Sequence, residues 1–214
     1  MVAQSEPSHA KTRQQLIEAA GQVFAEHGYR AATVREICMR AGANVASIHY
    51  HFGDKERLYL EVLRYAQQKD IESNPGLAKA AASLSPEDKL KEFIKSLLVK
   101  LLDPGPLGWD GKLIAREMVE PTAGMDVVAE ERIRPMHKNI RGILEAILGE
   151  GATEDELRDA EFSIVGQVVF YHHCKAVVHR LYPRYKIARP EIDKLAEHIT
   201  AFSLAGLKAK GKRK

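Results

Sequence analysis

Two helix starts separated by one glycine turn, within residues 33–55 (TVREICMRAGANVASIHYHFGDK), constrain this chain more than any other stretch. Thr33 followed three residues later by Glu36 reads as a capping box. The Thr33 hydroxyl accepts from the Glu36 N–H and the Glu36 carboxylate reaches back to the Thr33 N–H. A helix then starts at Val34 and carries Val34, Ile37, Cys38 and Ala41 as one apolar stripe. Gly42 must end it, because glycine adopts the left-handed conformation at the helix end that a side chain resists. Asn44 caps the next start, so residues 42–44 form a turn of helix-turn-helix length.

At about 100° per residue, Val45, Ile48 and Phe52 fall on one side of the second helix and are assigned to the core. Ala46, Ser47, Tyr50 and His51 fall on the other, with His49 at the margin. A tyrosine and a histidine facing outward gain nothing for packing, but they suit a nucleic-acid groove. Ala46 and Ser47 are small enough for close approach, Tyr50 and His51 can donate to phosphate oxygens, and any of them can touch a base edge. Gly53 ends the helix, Asp54 caps the next, and Lys55 offers a cation at phosphate height. With Thr33 and Asn44 these residues form the predicted DNA-contact set.

These positions closely resemble the DNA-binding domain of the TetR family of bacterial transcriptional regulators. That signature runs from T-x-x-x-I-A-x-x-A-G-V-S through L-Y-x-H-F to a lysine, and here it reads Thr33, Ile37, Cys38, Ala41, Gly42, Ala43, Asn44, Ile48, His49, Tyr50, His51, Phe52 and Lys55. Cys38 replaces the usual Ala, Ala43-Asn44 replaces Val-Ser, and Ile48-His49 replaces Leu-Tyr. The resemblance also implies a phosphate contact from Thr12 or Arg13. Residues 116–126 (REMVEPTAGMD) and 134–137 (RPMH) are similar to a C-terminal domain of one TetR subgroup, the CerR type.

Away from this stretch the pattern is helical throughout, with no strand alternation and no internal repeat, so the predicted class is all-α. Residues 1–10 are polar and contain Pro7, which reads as a disordered arm. A first helix over residues 11–27 buries Leu16, Ile17, Ala20, Val23 and Phe24 and closes at Gly28. A connector helix runs from Asp54 to the break at Asn74-Pro75-Gly76. Ser85-Pro86 opens a helix carrying Leu90, Phe93, Ile94, Leu97, Leu98, Leu101 and Leu102. After a loop over residues 103–108 come a helix over residues 109–120 and a long segment over residues 125–148, which Pro135 should kink or restart. Thr153 and Glu156 form a second capping box, opening a helix to about Tyr182 that is apolar on nearly every face. The final helix, residues 190–207, shows Ile192, Leu195, Ala196, Ile199 and Phe202. The expected division is a headpiece over residues 1–56, a helical effector-binding and dimerisation body over residues 57–207, and a basic tail over residues 208–214.

One short helix in a groove reads few base pairs, so specific binding implies two half-sites and a homodimer on a palindromic double-stranded operator. The last two helices are the expected interface, since their apolar excess would otherwise face water. The resemblance further implies a pocket whose small-molecule effector alters headpiece spacing. Candidates are Phe93, Leu97, Trp109, Met118, His137, Gln167 and Tyr171, with Arg116 or Glu117 as polar anchors.

The net charge of +3 adds little to the DNA reading, because residues 1–57 hold seven Lys or Arg against six Asp or Glu. The basic cluster sits instead at Lys208, Lys210, Lys212, Arg213 and Lys214. No apolar run approaches the ~18 residues that span a bilayer, and residues 1–11 lack a signal-peptide core, so a cytoplasmic protein with no membrane partner is expected. Cys38 and Cys174 read as free thiols. His172, His173, Cys174 and His179 diverge around one helix and cannot close a metal site unaided. The E-x-x-H spacing of di-iron bundles occurs as Glu6 to His9, in the arm. No nucleophile elbow, P-loop or dinucleotide glycine pattern occurs. No cofactor is called for and an enzyme is not expected. The remaining alternative is a helical dimer that binds another protein and keeps the helix-turn-helix only as scaffold.

Overall fold

A computed structural model of the 214-residue chain describes residues 6–73, 83–102, 108–185 and 189–211. The expected break at Asn74-Pro75-Gly76, the loop at residues 103–107, residues 1–5 of the arm and Lys212, Arg213 and Lys214 of the tail lie outside the described residues. Every element among the described residues is helical. Two compact units emerge, one formed by Met1–Asn74 with Gly105–Arg134 and the other by Pro75–Pro104 with Pro135–Lys214. Neither follows the sequence division at 56/57, because the connector helix and the segment over residues 109–134 pack with the headpiece.

The first unit begins with α1 (Glu6–Ala31), interrupted at Gly28, where φ is 77° and ψ is 166°. The closure expected at Gly28 is therefore real, but residues 6–10 are helical and not an arm. Pro7 is compatible with this because a first-turn residue has no intrahelical acceptor for the N–H that proline lacks. Next come α2 (Val34–Ala41), α3 (Val45–Phe52) and α4 (Lys55–Ser73). Asp54 caps α4 by accepting from the Arg57 N–H at 2.8 Å. α5 (Pro86–Leu102) belongs to the second unit; α6 (Asp110–Val119) and α7 (Gly124–Val128) return to the first.

Three small helices alone would make a thin core. Trp109, Leu113, Ile114 and Val128 thicken it, joining Leu16, Phe24, Ile37, Ile48, Phe52, Leu58 and Tyr59 in one buried cluster. Gly21 makes this possible: a Cβ there would lie 2.4 Å from Cζ2 of Trp109, so only glycine lets the indole lie on α1. Arg116 of α6 fastens the same junction. Its Nε donates to the Ala25 carbonyl at 3.0 Å and its Nη2 to the Glu26 carbonyl at 2.9 Å. Those carbonyls belong to the helix end opened by the Gly28 kink, where orphan acceptors and the helix dipole favour a cation.

Pro135 acts through backbone hydrogen bonding. A π-helical turn, Ala129–Ile133, precedes α8 (Arg134–Leu148), and the Arg134 N–H bonds the Ala129 carbonyl. Proline has no N–H for the carbonyl four residues earlier, which is Glu131. Gln67 of α4 takes that acceptor, its Nε2 lying 3.0 Å from the Glu131 oxygen. The expected interruption is thus a π turn, the usual way a helix absorbs a misfit residue.

In the second unit α5, α8, α9 (Glu154–His173) and α11 (Arg189–Gly211) enclose a core of Leu90, Ile94, Leu98, Ile140, Leu144, Ile164, Val168, Ala196 and Ile199. The capping box at Thr153 is complete: Glu156 N–H donates to Thr153 Oγ1 at 3.2 Å, and Thr153 N–H to Glu156 Oε2 at 2.9 Å. The helix it opens does not reach Tyr182. It breaks at Cys174, and a short α10 (Lys175–Leu181) follows. α11 continues past residue 207 to Gly211, so the start of the basic tail is helical.

Candidate nucleic-acid interface

α3 is held from both ends by its own local chemistry. At its start, Asn44 Oδ1 accepts from the Ser47 N–H at 2.9 Å and from the Ser47 hydroxyl at 3.1 Å. The turn before it is closed by Gly42 at φ 64° and by the Ala43 N–H on the Cys38 carbonyl at 2.9 Å. Cys38 adds a thiol hydrogen bond to the Asn44 carbonyl at 3.4 Å, a contact that an alanine there would lack, and burial pushes its pKa up. At the far end the Gly53 N–H returns to the Ile48 and His49 carbonyls, and His49 Nδ1 lies 2.7 Å from the Gly53 carbonyl.

Ile48 and Phe52 are buried and anchor the helix. Val45, assigned to the core from its angular position, is 42% exposed and lies outside the buried cluster. His49 is exposed too. Tyr50 is 73% exposed, Ala46 is exposed, and Ser47 and His51 are partly so. With His9 and Thr12 from α1 and Asn44 from the turn, these four residues line one shallow groove of about 300 Å³. His9 lies against Tyr50 and His51, with ring centroids 5.7 and 6.2 Å away. His51 has a pKa held below the usual imidazole value, first by burial and then by the charges of His9 and Arg13. Arg13 is paired with Glu61 of α4 and lies 5.2 Å from the centroid of the Phe52 ring.

Three predicted contacts have structural duties. Thr33 caps α2 as expected, accepting from the Glu36 N–H at 3.2 Å. The reciprocal half of the capping box does not form: the Glu36 carboxylate lies 3.1 Å from His27 Nε2 and 3.4 Å from Arg40 Nη2. Asn44 is the α3 cap. Lys55 is not a free cation. Its Nζ donates to the Ala32 carbonyl at 2.8 Å, reaches the Arg30 carbonyl at 3.4 Å and lies 4.6 Å from the Tyr29 ring centroid. Burial lowers its pKa, which fits a lysine tied to the α1–α2 linker.

The effector-pocket candidates divide between the two units. Trp109 is core, Arg116 holds the α1 end, and Glu117, 1% exposed, accepts from Tyr59 and Thr122. Met118, next to them on α6, is half exposed. In the second unit Phe93 is buried, Leu97 and Tyr171 are partly buried, and Gln167 bonds Ser163 and Ser203. His137 Nδ1 lies 2.8 Å from Oε2 of the buried Glu161. His172 Nδ1, from the rejected metal set, lies 2.7 Å from the Leu101 carbonyl. Glu26, His27 and Glu36 bring possible ligand atoms within 4.8 Å of one another, but the Arg40 guanidinium occupies that spot, 2.9 Å from Glu26.

His9 is the groove residue that sequence reasoning missed. The signal was there, since a proline can stand in a first helical turn, but a polar proline-containing start reads equally well as an arm.

A helix-turn-helix whose second helix presents a polar face to solvent, in a chain whose described residues form only helices, is the arrangement of a DNA-binding transcriptional regulator. Residues 16–62 match the bacterial regulatory proteins of the tetR family, and residues 86–207 match the C-terminal domain of the HTH-type transcriptional dual regulator CecR. This chain belongs to the TetR family, and its C-terminal part is of the CecR type, which replaces the CerR type expected from residues 116–126 and 134–137. The chain is similar to CecR of Shigella flexneri, 29% identical over 176 residues covering 78% of each chain. It is also similar to the repressor NicS of Pseudomonas putida, 26% identical over 156 residues, 70% of this chain and 67% of that one. Among solved structures it shares its fold with AibR in complex with isovaleryl coenzyme A and operator DNA. There the TM-score is 0.65 at 15% identity, over 89% of this chain and 97% of that one. No helix among the described residues is long and apolar enough to cross a membrane.

Proposed function

We propose that the protein is a homodimeric repressor that grips a palindromic operator with Ala46, Ser47, Tyr50 and His51 of two headpieces and is released by a small-molecule effector. The observation that carries this reading is the placement of α3. Ile48 and Phe52 anchor the helix in the core, while its opposite face, including a tyrosine 73% exposed and with the His9 ring at its edge, stays largely open to solvent. Such a face is complementary to a groove, with phosphate contacts setting register and base edges setting preference. Repression is supported by the similarity to NicS, whose name states that role. An effector is supported by the shared fold with AibR, solved with an acyl coenzyme A. Of the pocket candidates, Phe93, Leu97, His137, Gln167 and Tyr171 remain proposed effector contacts, because Trp109, Arg116 and Glu117 are engaged in packing the first unit.

Dimerisation is proposed through α9 and α11. Phe162 is 64% exposed and Phe202 65% exposed, with Phe170 also outward. Aromatic side chains this open, on two helices of one unit, suit a covering partner.

The test is titration of a duplex of about 30 base pairs, selected by the protein from a randomised pool, at two salt concentrations. A dimer neutralising several phosphates gives an affinity falling steeply with salt. Phe202→Asp is expected to shift the sedimenting species toward monomer and to weaken duplex binding by about tenfold or more. Failure to select any duplex, with the wild-type chain dimeric, favours the protein-binding alternative.

A further inference from the structure

We propose that His9 and His51 form a protonatable pair within the DNA interface, so that duplex binding takes up protons and tightens as the pH falls. The inference rests on the DNA-interface reading of α3 and extends it to α1, which places His9 on the same groove.

The geometry carries it. His9 stands in the opening turns of α1 with its ring 6.2 Å from that of His51 and 5.7 Å from that of Tyr50. His51 is packed further by Tyr50 at 5.0 Å and Phe52 at 6.0 Å. The charged and titratable groups facing His51 are His9 and Arg13 of α1 and Tyr50 of its own helix, while Glu61 of α4 faces Arg13 from the other side. Like charges crowd the pair: a proton on His51 meets the Arg13 guanidinium and, if His9 is charged, a second imidazolium. Burial first, and then these like charges, disfavour charging His51 in the free protein and hold its pKa below the usual imidazole value.

A phosphodiester seated in the groove reverses the balance. An opposite charge within ~4–6 Å raises an imidazole pKa by about 1–3 units, and histidine is the side chain whose ordinary value lies close enough to neutrality for this to change its charge. The complex then binds more protons than the free components. By linkage, affinity rises as pH falls, by up to about tenfold per pH unit for each proton taken up. Phosphodiesters do not themselves titrate near neutrality, so the dependence belongs to the protein.

The experiment uses the selected duplex of about 30 base pairs at fixed ionic strength, with fluorescence anisotropy at about pH 6, 7 and 8. Calorimetry in buffers of different ionisation heat counts protons. Binding at least about fivefold tighter at about pH 6 than at about pH 8, with about one proton taken up per headpiece, is expected. His9→Gln and His51→Gln keep a hydrogen-bonding side chain but are each expected to remove more than half of the pH dependence, read as the ratio of affinities at about pH 6 and 8 within each variant. Tight binding that is flat with pH overturns the proton linkage while leaving the DNA reading standing. A slope that survives both variants and vanishes in His49→Gln overturns the assignment to this pair. Absence of duplex binding at every pH removes the DNA reading itself.

Discussion

Tyr59 donates its hydroxyl to Oε2 of Glu117 across 2.6 Å, and both side chains are almost wholly excluded from solvent, at 2% and 1% exposure. Glu117 also accepts from the Thr122 N–H at 2.7 Å and from the Thr122 hydroxyl at 3.0 Å. A carboxylate this deep is tolerated only when its oxygens are satisfied, so the site joins α4, α6 and the turn into α7. Tyr59→Phe removes one donor while keeping the ring, and a loss of about 1–3 kcal/mol of stability is expected. Urea unfolding measures it; an unchanged midpoint would show the bond to be dispensable. The pH sign follows from Tyr59, whose pKa is raised by burial and by Glu117. A raised value stabilises the fold below the ordinary tyrosine value of about 10, and that contribution is lost only as pH rises through the folded value. Stability from this pair should therefore stay level from about pH 7 to 9 and fall only in strong alkali.

Gly21→Ala tests the seat of Trp109. In an open helix interior, alanine for glycine gains about 1 kcal/mol. Here the added methyl meets the indole at 2.4 Å, so the sign reverses and a loss of about 1–3 kcal/mol is expected. Trp109 is the only tryptophan of the chain, so its emission should shift red as the ring is displaced. A stabilised variant with unshifted emission would contradict the packing.

Tyr50→Ala and Lys55→Ala, equivalent as DNA contacts in the sequence reading, should separate. Tyr50 is open to solvent and packs only at its edges, so its loss is expected to weaken duplex binding by about tenfold while the thermal midpoint moves little. Lys55 holds two backbone carbonyls and a tyrosine face, and its loss should cost about 1–2 kcal/mol of stability. Thermal melts beside anisotropy titrations distinguish the two. Equal thermal shifts would mean that the Lys55 contacts contribute nothing.

Signals confined to one turn of chain were legible in advance. Asn44, Asp54, Ser85 and Thr153 all cap where expected, because each cap needs only its own next three residues. Gly28 and Gly42 take the left-handed φ anticipated for them. Where a side chain had several options, sequence could not choose: Glu36 leaves the Thr33 N–H for His27 of α1 and for Arg40 one turn further along α2. Lys55 looked like a phosphate contact because nothing local shows the Ala32 carbonyl beneath it. The break at Cys174 was missed because no glycine or proline marks it.

What the sequence determined by itself is the order of helices and the outward face of α3, since periodicity, caps and turn glycines act over a few residues at a time. What only the tertiary structure decided is which helices share a core and which polar groups are already engaged. Glu117, Arg116 and Trp109 looked like pocket material until α1 and α4 were placed against them. His9 looked like arm until α1 brought it onto Tyr50. Those assignments depend on which distant surfaces meet, and no local pattern encodes the partner across a packed interface.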